Sequence, residues 1–257
     1  RERPGNVVKI VHDEDNEVVQ IFIQSQEQRE LFKKFGEVVE IDGTYKVDKA
    51  GMPLYTIVIE DNFGIGQPIC YMFLREETTA SIFAGLEIFA KHNDVSKTKV
   101  VLTDKDCKEM NAVERIFTSA SLKLCLFHAL AAVDKRLVQA KLSRNLREEI
   151  YQQFKEAVYA GSEEKIKEVE EYLCGLDEDD DDGTYDGLGH YFETNWFNIT
   201  EYWAVFYRRT LFMMDNHTTN RIERYHSTLK KNLRNRQVRF PELIQVLLDI
   251  SQMREFD

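Results

Sequence analysis

Three carboxylates stand where a metal-dependent phosphoryl-transfer site could be assembled. Asp42 closes the run Val38-Val39-Glu40-Ile41 and leads into Gly43-Thr44-Tyr45-Lys46. Asp104 follows the apolar run Val100-Val101-Leu102-Thr103, and Glu223 lies far downstream in Asn220-Arg221-Ile222-Glu223-Arg224. Two acids at strand ends and a third on a late helix offer oxygen ligands, which suit hard divalent cations. A pair of such ions stabilises both the attacking and the leaving oxygen of an in-line displacement at phosphorus.

The surrounding elements must bring these groups together. Strand patterns cover Val38–Val47, Leu54–Glu60 and Gln67–Phe73, with turns at Lys49-Ala50-Gly51 and Asp61-Asn62-Phe63-Gly64, an antiparallel meander. A helix over about Thr78–His92 follows, then a strand at Lys99–Thr103, a helix at about Lys108–Phe117 and a strand at Lys123–Phe127. This order predicts a mixed sheet whose later strands run parallel, joined by crossover helices. Upstream, Val18–Ile23 reads as a strand and Gln26–Phe35 as a short helix. From Ala129 to about Tyr207 the periodicity is helical, with helices at Ala131–Leu142, Leu146–Tyr159, Glu163–Leu173 and Tyr191–Thr210. The acidic run Asp177–Asp182 reads as a solvated loop, since adjacent acids in a loop do not converge on one ion. Helices at Asn220–Leu233 and Pro241–Met253 end the chain.

Each carboxylate has a plainer use. Asp42-Gly43 is a hairpin signal. However, Val39, Ile41, Tyr45 and Val47 alternate with Glu40, Asp42, Thr44 and Lys46 without interruption across Gly43. A two-residue turn would break that phase, so one strand with Asp42 on its polar face is expected. Asp104 would serve as a helix N-cap, but Asp106-Cys107-Lys108-Glu109 has its own capping-box spacing, which leaves Asp104 for the crevice beyond the strand end. Asn220-x-x-Glu223 is itself a capping box, so for Glu223 the cap and the ligand stand level on the residues alone.

Composition sets the outer bounds. The 257 residues, 43% apolar, suffice for a sizeable core in one large or two small domains. No apolar run approaches the roughly 18 residues of a membrane span. The chain opens at Arg-Glu-Arg-Pro without methionine or signal peptide and reads as an excised fragment. Cys70, Cys107, Cys125 and Cys174 are too dispersed for a disulfide framework and read as reduced thiols of an intracellular protein. The net charge of −11 weighs against nucleic acid, but its distribution does not. Between Arg208 and Arg239 nine basic residues face two acidic ones, a local +7 that leaves −18 for the remainder. Such a stretch suits a surface that tracks phosphates, and equally a solvated helix face.

Five segments in order resemble Mutator-like element (MULE) transposases, and more closely their relatives with SWIM-type zinc fingers. They are Ile41-Asp42-Gly43-Thr44-Tyr45-Lys46, Pro53-Leu54-Tyr55 with Asp61-Asn62-Phe63-Gly64, Leu102-Thr103-Asp104-Lys105-Asp106, Cys125-Leu126-Phe127-His128, and Thr219-Asn220-Arg221-Ile222-Glu223-Arg224-Tyr225-His226-Ser227-Thr228-Leu229-Lys230. The resemblance spans about residues 36–235. It implies an α/β fold with an RNase H-like core, a mixed five-stranded sheet with flanking helices, carrying a large all-helical insertion. Residues 1–36 would be an N-terminal segment, 37–128 the first part of the core, 129–215 the insertion, and 216–257 the helices completing the core. It also implies a catalytic, metal-holding triad of Asp42, Asp104 and Glu223 using Mg²⁺, with Mn²⁺ able to substitute. The family's Cys-x-x-His motif falls on Cys125 and His128. Two ligands do not complete a tetrahedral zinc site, so the residues favour a buried cysteine and a hydrogen-bonded histidine, with positioning of a flanking phosphate as the other use. No SWIM cysteine/histidine cluster follows residue 235.

The expectation is therefore a nuclear DDE-type DNA transposase domain, acting on transposon ends and target DNA as a homo-oligomer, with no membrane partner. Arg221, Arg224, Lys230, Lys231 and Arg234 would contact the DNA backbone. The rivals are a transposase-derived DNA- or chromatin-binding protein without catalysis, and a structure-selective nuclease on the same core.

Overall fold

The computed structural model describes residues 5–140, 142–177, 184–213, 216–234 and 236–254. These fall into two compact units. The first comprises residues 1–122 with 214–257, and the second 123–213.

The first unit is built on a seven-stranded mixed sheet in the order β1-β2-β5-β4-β3-β6-β7. Its strands are β1 (Val7–His12), β2 (Val18–Gln24), β3 (Val38–Thr44), β4 (Leu54–Glu60), β5 (Gly66–Leu74), β6 (Val100–Thr103) and β7 (Ser121–Leu124), the last crossing into the second unit. The count corrects the expected five. Strand β2 pairs antiparallel with β5, and β1 with β2, so the N-terminal hairpin extends the meander instead of standing apart from it. The meander is antiparallel as expected, and β6 runs parallel to β3. Strand β3 passes straight through Gly43, ruling out the hairpin. It stops at Thr44, short of the expected Val47, because Lys46 takes a left-handed backbone at φ 61°. Gly43 packs closely: a Cβ there would lie 3.0 Å from the ring of Tyr55, its partner on β4, and would press on that ring.

Helices cover both faces. Helix α1 (Gln26–Phe35) begins at a Ser25/Gln28 capping box and α2 (Thr79–His92) at a Thr78/Ser81 box. On α3 (Cys107–Ile116), Asp106 takes the N-cap and accepts from Lys108 N and Glu109 N. Phe32 of α1 meets Phe89 of α2 edge-on at 4.9 Å, and Phe89 packs against Phe117. A second core layer joins Leu54, Tyr71 and Phe73 to Tyr225 and Leu229 on α9 (Asn220–Asn232), to Leu233 at its C-cap, and to Leu243, Leu247 and Ile250 on α10 (Phe240–Arg254). Here the Tyr225 hydroxyl donates to that of Tyr71 at 2.8 Å, so neither buried phenol lacks a partner.

The second unit contains α4 (Leu126–Gln139), α5 (Arg144–Val158), α6 (Glu163–Cys174), α7 (Leu188–Asn195) and α8 (Thr200–Trp203). Phe154 is its centre, with Phe192, Trp196 and Trp203 at centroid distances of 5.8, 5.3 and 5.1 Å. This cluster corrects the continuous helix expected over Tyr191–Thr210. The backbone leaves the helix at Trp196 (φ −129°, ψ −55°) and continues through short turns that turn both tryptophans onto Phe154. Arg208, expected among the surface cations, is instead 2% exposed and donates to the carbonyls of Leu124 and Tyr202. Burial draws its pKa down to about 10. Of the acidic run 177–182, only Asp177 lies among the described residues; it accepts from His190 N at 2.8 Å. No described helix is long and apolar enough to cross a membrane.

Candidate functional site

The polar face of β3 lies under a helix. Glu40, Asp42 and Thr44 share one side of the strand, and α9 lies over it. Glu40 is 2% exposed, and its Oε1 accepts from Asn216 Nδ2 at 2.7 Å while Oε2 accepts from Ile222 N at 3.0 Å. Ile222 is the third residue of α9, and Thr219 at the N-cap makes no side-chain cap of its own. A strand carboxylate thus caps the helix in place of the local residue. Burial pushes the Glu40 carboxyl up to about 7, against the opposing pull of Ile222 N–H, Asn216 and Arg221. Arg221 bridges 2.7 Å to Glu60 and lies 3.8 Å from Glu40. Gly66 admits it, since a Cβ there would lie 2.8 Å from the Arg221 Cβ.

With α9 fixed in this way, its next turns meet Asp42. His226 Nδ1 lies 3.3 Å from Asp42 Oδ2, and its Nε2 is 3.2 Å from Thr56 Oγ1 on β4. Glu223 accepts from Thr219 Oγ1 at 3.2 Å. The capping box with Asn220 is absent: Asn220 is the first helical residue, and the cap comes from Glu40. Asp42, Glu223 and His226 line one open cavity of about 450 Å³ together with Gly43, Thr44, Tyr45, Ser227, Lys230 and Lys231.

Asp104 is not among the residues lining that cavity. Its relation to Asp42 is set by register. Val38, Val39 and Glu40 lie opposite Val100, Val101 and Leu102, an offset of 62. Asp42 and Asp104 each lie two residues beyond the last of these pairs, Asp104 as the first residue past β6. Electrostatics links them. Glu109, fully buried on α3, is held well above the usual carboxylate range by burial and then by Asp42, Asp104, Asp106 and Glu77. Thr103 Oγ1 donates to it. Asp42 and Asp104 therefore act on one buried carboxyl. As a donor set, these carboxylates are all-oxygen and crowded with like charge, the chemistry that suits a hard divalent cation.

The basic residues divide. Lys230 and Lys231 reach the cavity, Arg224 and Arg234 are exposed, and Arg221 is held by Glu60 and Glu40. Cys125 and His128 belong to the second unit. Cys125 is buried at the N-cap of α4, and His128, half-buried in its first turn, meets the ring of Phe127 at 5.4 Å.

Sequence reasoning missed Glu40, Glu109 and His226. The unbroken alternation across Gly43 already put Glu40 on the face of Asp42. Glu109 was masked by its capping-box spacing. His226 carried no local signal, because only the docking of α9 brings it to Asp42.

Residues 1–123 match the family model described as "Zinc finger SWIM domain-containing protein 1/3, RNaseH-like domain". The similarity takes in β1 through β6, with Asp42 and Asp104, and ends within β7. Helix α9 and Glu223 lie beyond it.

Proposed function

We propose that this chain is the catalytic domain of a DDE-type DNA transposase of MULE kind, with residues 123–213 as a helical insertion in its RNase H-like core. One observation carries the proposal: on facing elements β3 and α9, two carboxylates and two lysines line a single cavity, Asp42 and Glu223 with Lys230 and Lys231. Asp42, Asp104 and Glu223 would hold two Mg²⁺ ions, or Mn²⁺ in their place. Bound there, such ions supply activation of the attacking oxygen and stabilisation of the leaving oxygen at phosphorus.

The protein's own groups do the rest. His226, steadied by Thr56, fixes the carboxylate of Asp42, and Thr219 orients Glu223. Lys230 and Lys231 attract and seat the phosphate backbone at the cavity, with Arg224 and Arg234 extending that surface without reading base sequence. Arg221 and Glu40 keep α9 in place. The nucleophile is water in cleavage and a DNA 3′-hydroxyl in strand transfer, and assembly on nuclear DNA would be as a homo-oligomer.

The test uses the full chain with supercoiled plasmid, and with pre-cleaved transposon ends plus target DNA, in Mg²⁺ or Mn²⁺. Metal-dependent nicking with strand joining is the expected result. Nicking without joining would make the chain a nuclease. Salt-sensitive DNA binding with no cleavage in either metal would leave a non-catalytic, transposase-derived binder.

A further inference from the structure

Tyr45 is an exposed aromatic whose polar end is already occupied. The residue is 52% exposed and lines the same cavity as Asp42, Lys230 and Lys231. Its hydroxyl lies 2.7 and 2.6 Å from the two carboxylate oxygens of Glu77. Glu77 also accepts from the hydroxyl of Tyr55, which is 4% exposed and anchored in the sheet. The backbone turns through Lys46 at φ 61° immediately afterwards. A tyrosine is ordinarily pinned by being covered. Here it is pinned by its hydroxyl while its face stays open, which leaves a flat surface whose ordering entropy is already spent.

The neighbours specify what that surface suits. An apolar peptide would have to desolvate two lysines and two carboxylates to reach the ring. A nucleic acid strand supplies a phosphate for the lysines and a π-face for the ring, the pairing by which sequence-tolerant single-strand sites work. A base inside an intact duplex has both faces covered by its neighbours and cannot offer one.

Building on the DNA reading above, we propose that Tyr45 is a stacking platform for one unpaired nucleobase beside the phosphate seated by Lys230 and Lys231. The cavity therefore takes single-stranded or frayed DNA in preference to closed duplex. Tyr45 reads no hydrogen-bonding edge, so all four bases are accepted.

The experiment is an abasic scan. The full chain in EDTA is titrated by anisotropy against a labelled duplex carrying a short single-stranded tail, whose junction fixes the register, against the same duplex without the tail, and against a set of tailed strands each lacking one tail base. For the unaltered protein, affinity should fall about 5- to 100-fold at one abasic position and little elsewhere. Tyr45→Ala should weaken binding of the intact tailed duplex by the same factor and make that position indifferent, while changing the affinity for the untailed duplex much less. Tyr45→Phe, which keeps the ring, should retain most of the affinity for the tailed duplex. A flat scan on a tailed duplex that still binds would overturn the stacking role and leave the DNA reading standing. So would a Tyr45→Ala protein that matches the parent on every strand. Failure of the unaltered protein to bind either the tailed or the untailed duplex would remove the DNA reading, and this inference with it.

Discussion

Two ends of one seam, where α9 crosses β3, use the same residue types for opposite ends. At the start of α9, Glu40, Asn216 and Arg221 are turned on each other, on Glu60 and on a helix N–H, and are largely shut from water. From Glu223 onward along the helix, Asp42, Glu223, Lys230 and Lys231 face an open cavity. Carboxylates and cations that satisfy one another hold structure, whereas those that share a solvent-filled space are positioned for a ligand. The sign and number of charges do not distinguish these ends; the geometry of docking does.

The sharpest way to break this contrast is at Asp104. Asp104→Ala should lower Mg²⁺- or Mn²⁺-dependent nicking by about 10³-fold, the loss of several kcal/mol of transition-state stabilisation, while DNA binding stays measurable. Undiminished cleavage would take Asp104 out of the mechanism.

Glu40→Ala should act on stability. It strands the Ile222 N–H and the Asn216 amide inside the seam, a loss of about 3 kcal/mol readable by urea titration. Glu40→Gln tests the electrostatics. Folding raises the Glu40 pKa from 4.5 to about 7, so the folded chain binds more protons across that window. Its contribution is therefore complete below about pH 4.5 and lost as pH rises to about 7. In EDTA, the parent should lose ground to Glu40→Gln between pH 5 and 7.5; parallel melting curves would contradict that burial.

At the open end, reversing Lys230 and Lys231 together should cut the slope of log K against log salt by about 2, with the melting temperature little changed. Arg221→Gln should do the reverse, lowering stability while leaving the slope nearly as it was, because that guanidinium is held by Glu60 and Glu40. Equal effects of both on the slope would erase the division. The smallest effect is expected for Thr219→Val. Glu223 loses one hydroxyl donor, worth about 1 kcal/mol, seen as a several-fold weaker response of nicking to Mn²⁺ concentration.

Much of the frame was legible because periodicity records burial. The meander, α1, α2 and the parallel β3–β6 pair follow from alternation and caps, and the uninterrupted phase across Gly43 identified a strand where a dipeptide rule suggested a turn. Strand β1 escaped because it is an edge strand with Val8 and Ile10 exposed, so burial leaves no alternation in it. The 191–210 segment read as one helix because its aromatics recur at helical spacing; their packing on Phe154 is tertiary and broke it. The basic stretch was visible as charge, but Arg208 and Arg221 are held by groups distant in sequence, which composition does not encode.

The cap that Glu40 places on α9 joins two events that a chain of local helices would keep separate. The first turn of α9 lacks a cap from its own N-cap side chain, so it should unravel when the helix lifts from the sheet, carrying Glu223 away from Asp42. Amide exchange at Ile222 would then report the lifetime of the assembled acidic site, one proton standing sentinel for carboxylates 181 positions apart in the chain.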